Sequence, residues 1–305
     1  MTTRLRAEVA LLSTTLVWGS TFVVAKIALR DISPLFLVAV RFSLASLFFL
    51  VFWKRVFPIP RAFVVQGVIL GFFLFLGFGS QLVGQVYTTA SKSAFITGMM
   101  VVFVPILQVV IEKRPPRYGN LLGILMVTGG LFLLTSPEGS SFNVGDGLIL
   151  FCAVSFALYI VYLDVASKNM TPLQLTFLQQ VSTGLFAWIA VGLLEDVNFA
   201  PTYLGVSMIL YLTIMATIVT TYVQTRYQKD TTPTRAVVIF SIEPVFAAVS
   251  AYLVLGENIG APGIFGGTLI VGGVLLSELS DHIGGLNKSI PLELNDATGE
   301  HKNLS

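Results

Sequence analysis

TTPTRAVVIFSIEPVFAAVSAYLVLGENIGAPGIFGGTLIVGGVLL, residues 231–276, consists of two long apolar runs joined by a short turn that contains Gly and Pro. Residues 88–134 read TTASKSAFITGMMVVFVPILQVVIEKRPPRYGNLLGILMVTGGLFLL, which is nearly the same arrangement. A repeat this long predicts a chain made of two copies of one structural unit. Both stretches close with the same spacing of glycines, at Gly123, Gly129 and Gly130 and at Gly266, Gly272 and Gly273.

The repeat extends beyond these two stretches. At a constant separation of 138 positions, four further features recur without a gap. They are Glu8 with Asp146, Trp18 with Phe156, Ser33-Pro34 with Thr171-Pro172, and Arg41 with Gln179. Residues 1–137 and residues 145–280 are therefore predicted to be two copies of one unit. The polar residues 281–305 that follow are predicted to form a disordered cytoplasmic tail.

The composition is that of a membrane protein. Of 305 residues, 55% are hydrophobic and 11% are charged, and the mean hydropathy is +0.85. Soluble domains carry about 25% charged residues, so this chain needs lipid around it. The net charge of +2 comes from basic residues scattered along the chain, which gives no indication of nucleic-acid binding. The single cysteine, Cys152, excludes a disulfide within the chain.

Ten apolar segments follow one another, each close to the ~20 residues that a helix needs to cross the hydrocarbon core. Their lengths and uniform hydrophobicity favour helices over barrel strands, and the short connections make neighbouring helices antiparallel. The predicted fold is an all-α integral membrane protein with ten transmembrane helices. The segments lie near 7–29, 35–53, 63–86, 92–112, 119–136, 146–165, 172–194, 203–225, 234–255 and 261–279.

The distribution of Lys and Arg predicts the orientation. With the N-terminus in the cytoplasm, twelve of these residues lie on the cytoplasmic side, and Lys26, Arg30 and Lys92 lie outside. Each copy has five crossings, an odd number, so the second copy enters the membrane from the opposite side. The sequence thus predicts an inverted-topology repeat, an arrangement typical of secondary transporters with a central site that opens alternately to each side.

Several motifs resemble one known family. They are Trp18-Gly19-Ser20 with Phe22, Pro34 followed by Arg41-Phe42, the stretch from Thr88 to Pro105, Glu243-Pro244-Val245-Phe246, Gly256-Glu257, and the Gly-rich last helix. In this order, over about residues 7–280, they resemble the bacterial EamA-type branch of the drug/metabolite transporter superfamily. The resemblance implies a ten-helix fold whose central cavity is lined mainly by helices 1, 3, 4, 6, 8 and 9. It also implies transport of small organic solutes across the bacterial inner membrane, with export favoured over uptake.

Glu243 is the residue that most suggests function, because a carboxylate inside a membrane helix needs a partner or a water-filled cavity. It could bind a cationic or amino group, or take up a proton during the transport cycle. The alternative is a structural role, with the carboxylate paired to a nearby Arg, Thr or helix end. Arg41 in the second helix is the counterpart, and here a structural role is favoured.

Polar and aromatic side chains form stripes along four of the apolar segments. A stripe that faces inward offers a cavity for a polar or amphipathic solute, and aromatic rings hold a cationic amine. The alternative is that the hydroxyl groups join neighbouring helices and the rings lie at the membrane interface. Together with Glu243, the predicted cavity residues are Trp18, Thr21, Gln81, Gln85, Tyr159, Tyr162 and Thr220.

Two prolines lie inside predicted helices and are candidate hinges. Proline removes a backbone donor and bends a helix, so Pro105 and Pro244 could act as hinges or as kinks that neighbouring helices tolerate. Relative to the closing glycines, Pro105 lies 18 positions before Gly123 and Pro244 lies 22 before Gly266. The two helices are therefore expected to kink at different depths.

Enzymatic motifs are absent from the sequence: it contains no HExxH, Walker loop or GxSxG. Both histidines, His282 and His301, lie beyond the last segment, and neither a metal site nor a cofactor is predicted. The predicted function is alternating-access transport of a small polar or amphipathic metabolite such as an amino acid. The alternative is a passive channel or facilitator for small solutes. Proton coupling and a choice between monomer and homodimer stay open.

Overall fold

The computed structural model describes residues 3–113, 118–134, 142–168, 170–200, 202–258 and 260–286. Within these ranges every regular element is helical. A single-turn helix, Trp53–Val56, lies outside the main series. The main helices are α1 (Thr3–Ala28), α2 (Pro34–Leu50), α3 (Arg61–Val86), α4a (Ala90–Gly98), α4b (Met100–Glu112), α5 (Tyr118–Leu134), α6 (Val144–Ala166), α7 (Pro172–Leu194), α8 (Tyr203–Asp230), α9a (Pro233–Phe240), α9b (Glu243–Leu255) and α10 (Gly260–Leu286).

Eight helical units in the described ranges are long and apolar enough to cross a membrane, counting α4a with α4b and α9a with α9b. Two further apolar helices are shorter: α2, and residues Asn120–Leu133 of α5. The protein is therefore an all-helical, multi-pass membrane protein. The last helix, α10, continues to Leu286, past the boundary at residue 280 that the sequence predicts for the tail. Residues 287–305 lie outside the described residues.

Helices α4 and α9 are both interrupted near their middles. In α9 the break falls at Ser241 and Ile242, directly before Pro244, whose missing N–H cannot continue the ladder of helical hydrogen bonds. In α4 the break falls at Met99, and α4b then runs without interruption through Pro105. The interruption of α4 therefore lies six residues before Pro105, and the hinge at Pro105 stays a prediction.

The two interruptions lie at equivalent depths, not at the different depths that the positions of the prolines predict. Met99 and Ile242 lie 143 positions apart, which is the separation that aligns residues 88–134 with residues 231–276. The two breaks also meet in space, because a Cβ added to Gly98 would lie 3.0 Å from Cγ of Pro244. One proline therefore lies at the point where both interrupted helices cross.

Two pairs of neighbouring helices, α4 with α9 and α5 with α10, run in opposite directions. Helix α4a packs against α9b, and α4b packs against α9a, so α4 and α9 are antiparallel. Helices α5 and α10 are antiparallel as well: a Cβ on Gly123 would lie 2.7 Å from the carbonyl oxygen of Gly273, and one on Gly130 would lie 2.6 Å from that of Gly266. The glycines thus let these two helices approach backbone to backbone.

Helix α8 contains a π-helical segment, Ile214–Val219. Within it the hydroxyl of Thr217 donates to the carbonyl oxygen of Leu212, five residues earlier, at 2.8 Å. The same hydroxyl oxygen accepts a hydrogen bond from Nε of Arg41 in α2 at 2.6 Å. The irregular turn therefore provides the anchor for the buried arginine of the neighbouring helix.

Candidate functional site

A cavity lies among six helices, namely α1, α3, α4, α6, α8 and α9. These are the six helices that the family resemblance names. Its lining residues are Trp18, Thr21, Phe22, Leu74, Phe78, Gln81, Thr97, Met100, Phe156, Tyr159, Ile160, Thr221, Gln224, Phe240 and Glu243.

The cavity wall is built almost entirely from paired positions of the two halves. Residues of α1 and α6 pair at a separation of 138 positions, and those of α3 with α8 and of α4 with α9 pair at 143. Leu74 is the one lining residue outside these pairs. The pairs are Trp18 with Phe156, Thr21 with Tyr159, Phe22 with Ile160, Phe78 with Thr221, Gln81 with Gln224, Thr97 with Phe240, and Met100 with Glu243.

Glu243 is the acidic residue in this wall. Its exposed fraction is 7%, and within the described part of the chain its carboxylate has neither a hydrogen-bond donor nor a cationic partner. The structural alternative, a carboxylate paired with Arg or Thr, therefore has no support in the geometry. An ionised carboxylate in such surroundings is costly, so it is stable only with a proton or a cationic group beside it. Of the paired positions 100 and 243, only position 243 carries a charge, because position 100 is a methionine.

Aromatic rings line the same cavity as the Glu243 carboxylate. Trp18 meets Phe240 edge to face, with ring centroids 5.2 Å apart. The indole nitrogen of Trp18 donates to the hydroxyl of Thr220 at 3.0 Å, which fixes the plane of the ring. On the α6 side, the hydroxyl of Tyr159 donates to Oε1 of Gln179 at 3.1 Å. Rings held this firmly present their faces to a cationic ligand without losing much conformational freedom on binding.

Gln81 is the amide that the wall contributes from α3. Its Nε2 atom donates to the hydroxyl of Thr97 at 3.2 Å, so α3 and the first arm of α4 are joined at the cavity. The paired amide, Gln224, donates to Oε1 of Gln228 at 2.9 Å. Both amides therefore have one polar group committed to the protein.

Three of the predicted cavity residues lie outside the lining. The amide of Gln85 donates to the carbonyl oxygen of Phe22 at 2.7 Å, so its hydrogen-bonding capacity serves contact between α3 and α1. Gln228, 143 positions later, makes the same bond to Ile160 at 2.7 Å. Thr220 supports Trp18 from behind, and Tyr162 packs edge to face with Phe73 at a centroid separation of 6.4 Å.

The sequence prediction misses several lining residues, chiefly Thr97, Phe156, Thr221, Gln224 and Phe240. One signal in the sequence relates all of them to other lining residues. Each lies 138 or 143 positions from another lining residue, and two of those partners, Trp18 and Gln81, are among the predicted residues. Among the described residues, no group of three His, Cys, Asp or Glu side chains is arranged to hold a metal ion.

Comparison with known proteins identifies the chain. The EamA-like transporter family matches it twice, at residues 5–136 and at residues 143–279. The chain belongs to the EamA-like transporter family. An uncharacterized transporter of Archaeoglobus fulgidus is 34% identical to it over 276 residues, which cover 90% of this chain and 87% of that protein. The uncharacterized transporter YoaV of Bacillus subtilis is 22% identical over 284 residues, which cover 90% of this chain and 97% of YoaV.

A solved crystal structure has the same fold as this EamA-like transporter. The TM-score is 0.75 at 17% sequence identity, over 92% of this chain and 99% of the other. The EamA-like family consists of transporters, not enzymes. The cavity at the centre of this EamA-like transporter is therefore the place to look for its cargo.

Arg41 of this EamA-like transporter lies outside the cavity wall. It is buried, and its guanidinium lies 4.7 Å from the centroid of the ring of Phe78, a residue that lines the cavity. Its hydrogen bonds to Thr217 and to the carbonyl oxygen of Ala216, at 2.6 and 3.4 Å, go to the π segment of α8. These contacts support the structural role that the sequence favours for this residue.

Proposed function

We propose that this protein is a secondary transporter that moves a small polar or amphipathic metabolite across the bacterial inner membrane by alternating access. Ten helices cross the membrane as two five-helix halves of inverted topology, and both termini lie in the cytoplasm. The single observation that carries the proposal is a cavity made of paired positions from both halves, with one carboxylate in its wall that has no partner among the described residues.

The directions of the helices support the inverted repeat. The antiparallel courses of α4 with α9 and of α5 with α10 are those that two upside-down copies of one unit require. The two matches to one family, one in each half, support duplication. Helices α2 and α5, each of 17 residues, reach about 25 Å at 1.5 Å per residue, the short end of the range for a crossing.

The cavity chemistry favours a cargo that carries a protonated amine, such as an amino acid. Glu243 supplies the counter-charge, Trp18 and Phe240 supply ring faces, and Gln81 supplies a hydrogen-bonding amide. Coupling to protons is the second role open to the same carboxylate, since it can exchange a proton for the cargo's amine. Export is the direction that the family resemblance favours.

The alternative function is a passive channel or facilitator, and counterflow separates it from a carrier. A thermal-shift screen of amino acids and related amines on the purified protein selects the cargo. Proteoliposomes are then loaded with unlabelled cargo and given a trace of the labelled compound outside. A carrier accumulates label transiently above equilibrium because it exchanges one molecule for another. Simple equilibration without an overshoot would contradict the proposal and favour a pore.

A further inference from the structure

Two ion pairs join the halves of the protein at opposite ends. At one end, Nζ of Lys92 lies 2.7 Å from Oδ2 of Asp146. At the other end, Nη2 of Arg235 lies 3.1 Å from Oε1 of Glu8. The ends are opposite because Lys92 and Arg235 stand near the starts of α4 and α9, which are antiparallel.

The two ion pairs occupy paired positions of the repeat. Lys92 and Arg235 are 143 positions apart, and Glu8 and Asp146 are 138 apart. In each pair, the cation near the start of α4 or α9 meets a carboxylate near the start of the first helix of the other half. Neither contact lies within one half, so each can break when one half moves relative to the other.

Two further contacts link α4 to α9, one at each end of the protein. Near the start of α4, the backbone N–H groups of Ala90 and Ser91 donate to the carboxylate of Glu257 after α9b, at 3.1 and 3.2 Å. Near the start of α9, the backbone N–H of Thr234 donates to Oε1 of Gln108 in α4b at 3.2 Å. Ser91 and Thr234 are again 143 positions apart. Each end is thus held by an ion pair and by a link between α4 and α9.

The cavity lies between these two ends. Along α4, the lining residue Thr97 is five residues after Lys92, roughly 7 Å at the rise of an α-helix. Along α9, Glu243 is eight residues after Arg235, roughly 12 Å by the same measure. Both ion pairs are largely removed from solvent: the side chain of Asp146 is 0% exposed and that of Arg235 is 5% exposed.

We propose that the Lys92–Asp146 and Arg235–Glu8 pairs are the two gates of the transporter, which open in alternation. This inference rests on the proposed function and specifies how access to the same cavity is controlled. When one half rocks against the other, one ion pair separates and water reaches the cavity from that end. The pair at the opposite end holds the other side closed. Breaking the Lys92–Asp146 pair therefore shifts the population toward the state open at the Lys92 end, and breaking the Arg235–Glu8 pair shifts it toward the state open at the Arg235 end.

Accessibility of the cavity tests the proposal without any cargo. Thr21→Cys, on a Cys152→Ser background, places one thiol in the wall. A membrane-impermeant maleimide is applied to intact cells and, separately, to inverted vesicles, so that each end is probed alone. Lys92→Gln is expected to raise labelling from the Lys92 end about fivefold and to lower it from the Arg235 end. Arg235→Gln is expected to do the reverse.

Matched variants separate gating from a general loosening of the fold. Lys168→Gln breaks a 2.6 Å ion pair with Asp164, four residues earlier in the same half at the end of α6, so labelling should stay at the wild-type rate. Lys92→Arg and Arg235→Lys keep the charges and should also behave as wild type. Increased labelling from both ends, in either glutamine variant, would mean loosening and would overturn the gates. An unchanged rate in both glutamine variants would overturn them equally.

The outcome is independent of the transport assay. Reciprocal labelling without counterflow would uphold the gates and contradict the carrier. Counterflow with labelling that is not reciprocal would uphold the carrier and remove these two pairs as its gates.

Discussion

Glu243 and Met100 occupy paired positions in the cavity wall, yet one carries a charge and the other carries none. The carboxylate has no partner in the described part of the chain. The free-energy cost of burying its charge must therefore be offset by a proton or a cationic group that enters the cavity. We expect Glu243→Gln, which keeps shape and removes charge, to lower transport of an amine-bearing cargo at least about tenfold, the effect of one charged hydrogen bond. The measurement is the initial rate of uptake into proteoliposomes.

The control for this prediction is Met100→Leu, which changes the paired lining position without changing the charge of the cavity. It should retain most of the wild-type rate of uptake. Size-exclusion profiles of both variants show whether they fold. Equal rates for Glu243→Gln and wild type, at every pH tested, would remove Glu243 from the mechanism.

A second residue-scale prediction concerns the ends of α4b and α9b. Lys113 and Gly256, 143 positions apart, both end a helix in the left-handed conformation, at φ of 55° and 69°. Because side chains other than glycine are strained there, Lys113→Gly should stabilise the protein by roughly 1 kcal/mol. Gly256→Ala should destabilise it by a similar amount, since no atom within 4 Å would obstruct the added Cβ and the backbone strain alone acts. Thermal unfolding in detergent measures both shifts, and a lower melting temperature for Lys113→Gly would contradict the argument.

Sequence reasoning locates the cavity on the correct helices but only part of its lining. Gln81 and Gln85 share a helix face by their spacing, yet Gln85 is bonded to the backbone of α1, a contact between helices that periodicity within one helix cannot show. Thr220 likewise lies outside the lining because its hydroxyl accepts a hydrogen bond from the indole of Trp18 in α1, a contact from another part of the chain. Applied to the predicted residues, the separations of 138 and 143 lead to Phe156, Gln224 and Met100, but not to Thr97, Phe240 or Thr221.

At the scale of the elements, the contact of α5 with α10 depends on particular glycines. A Cβ on Gly130 would lie 2.6 Å from a backbone oxygen of α10, whereas one on Gly129 would meet nothing within 4 Å. We expect Gly130→Ala to force the two helices apart and to lower the melting temperature by several degrees, a loss of roughly 1–3 kcal/mol. Gly129→Ala is the matched control and should be neutral or slightly stabilising.

The interrupted helices show where reasoning from prolines fails. Pro244 breaks α9 as expected, but α4 breaks at Met99 rather than at Pro105, beside the glycine that receives Pro244. The break in α4 is thus set by packing against the other half. The sequence of α4 alone contains no cue stronger than Pro105, so this interruption could be located only through the repeat.

At the scale of the whole molecule, the inverted repeat makes a direct prediction. Lys113 follows α4b and Asn258 follows α9b, and both are exposed. If the halves are inverted, single cysteines at these two positions, on the Cys152→Ser background, react with an impermeant thiol reagent from opposite faces of the membrane. We expect Lys113→Cys to react from the cytoplasmic face and Asn258→Cys from the outer face. Reaction of both from one face would exclude the inverted topology and the rocking mechanism with it.

The π segment of α8, residues 214–219, has a consequence for how this protein changes over evolutionary time. A π turn contains one residue more than an α turn, so deleting one residue there leaves an ordinary helix whose two flanks keep their directions. The same deletion elsewhere in α8 would rotate Thr221 and Gln224 by about 100° around the helix axis. Single-residue deletions in this helix are therefore expected to survive selection at Ile214–Val219 when they spare Thr217, the partner of Arg41, and to be eliminated elsewhere before Thr221.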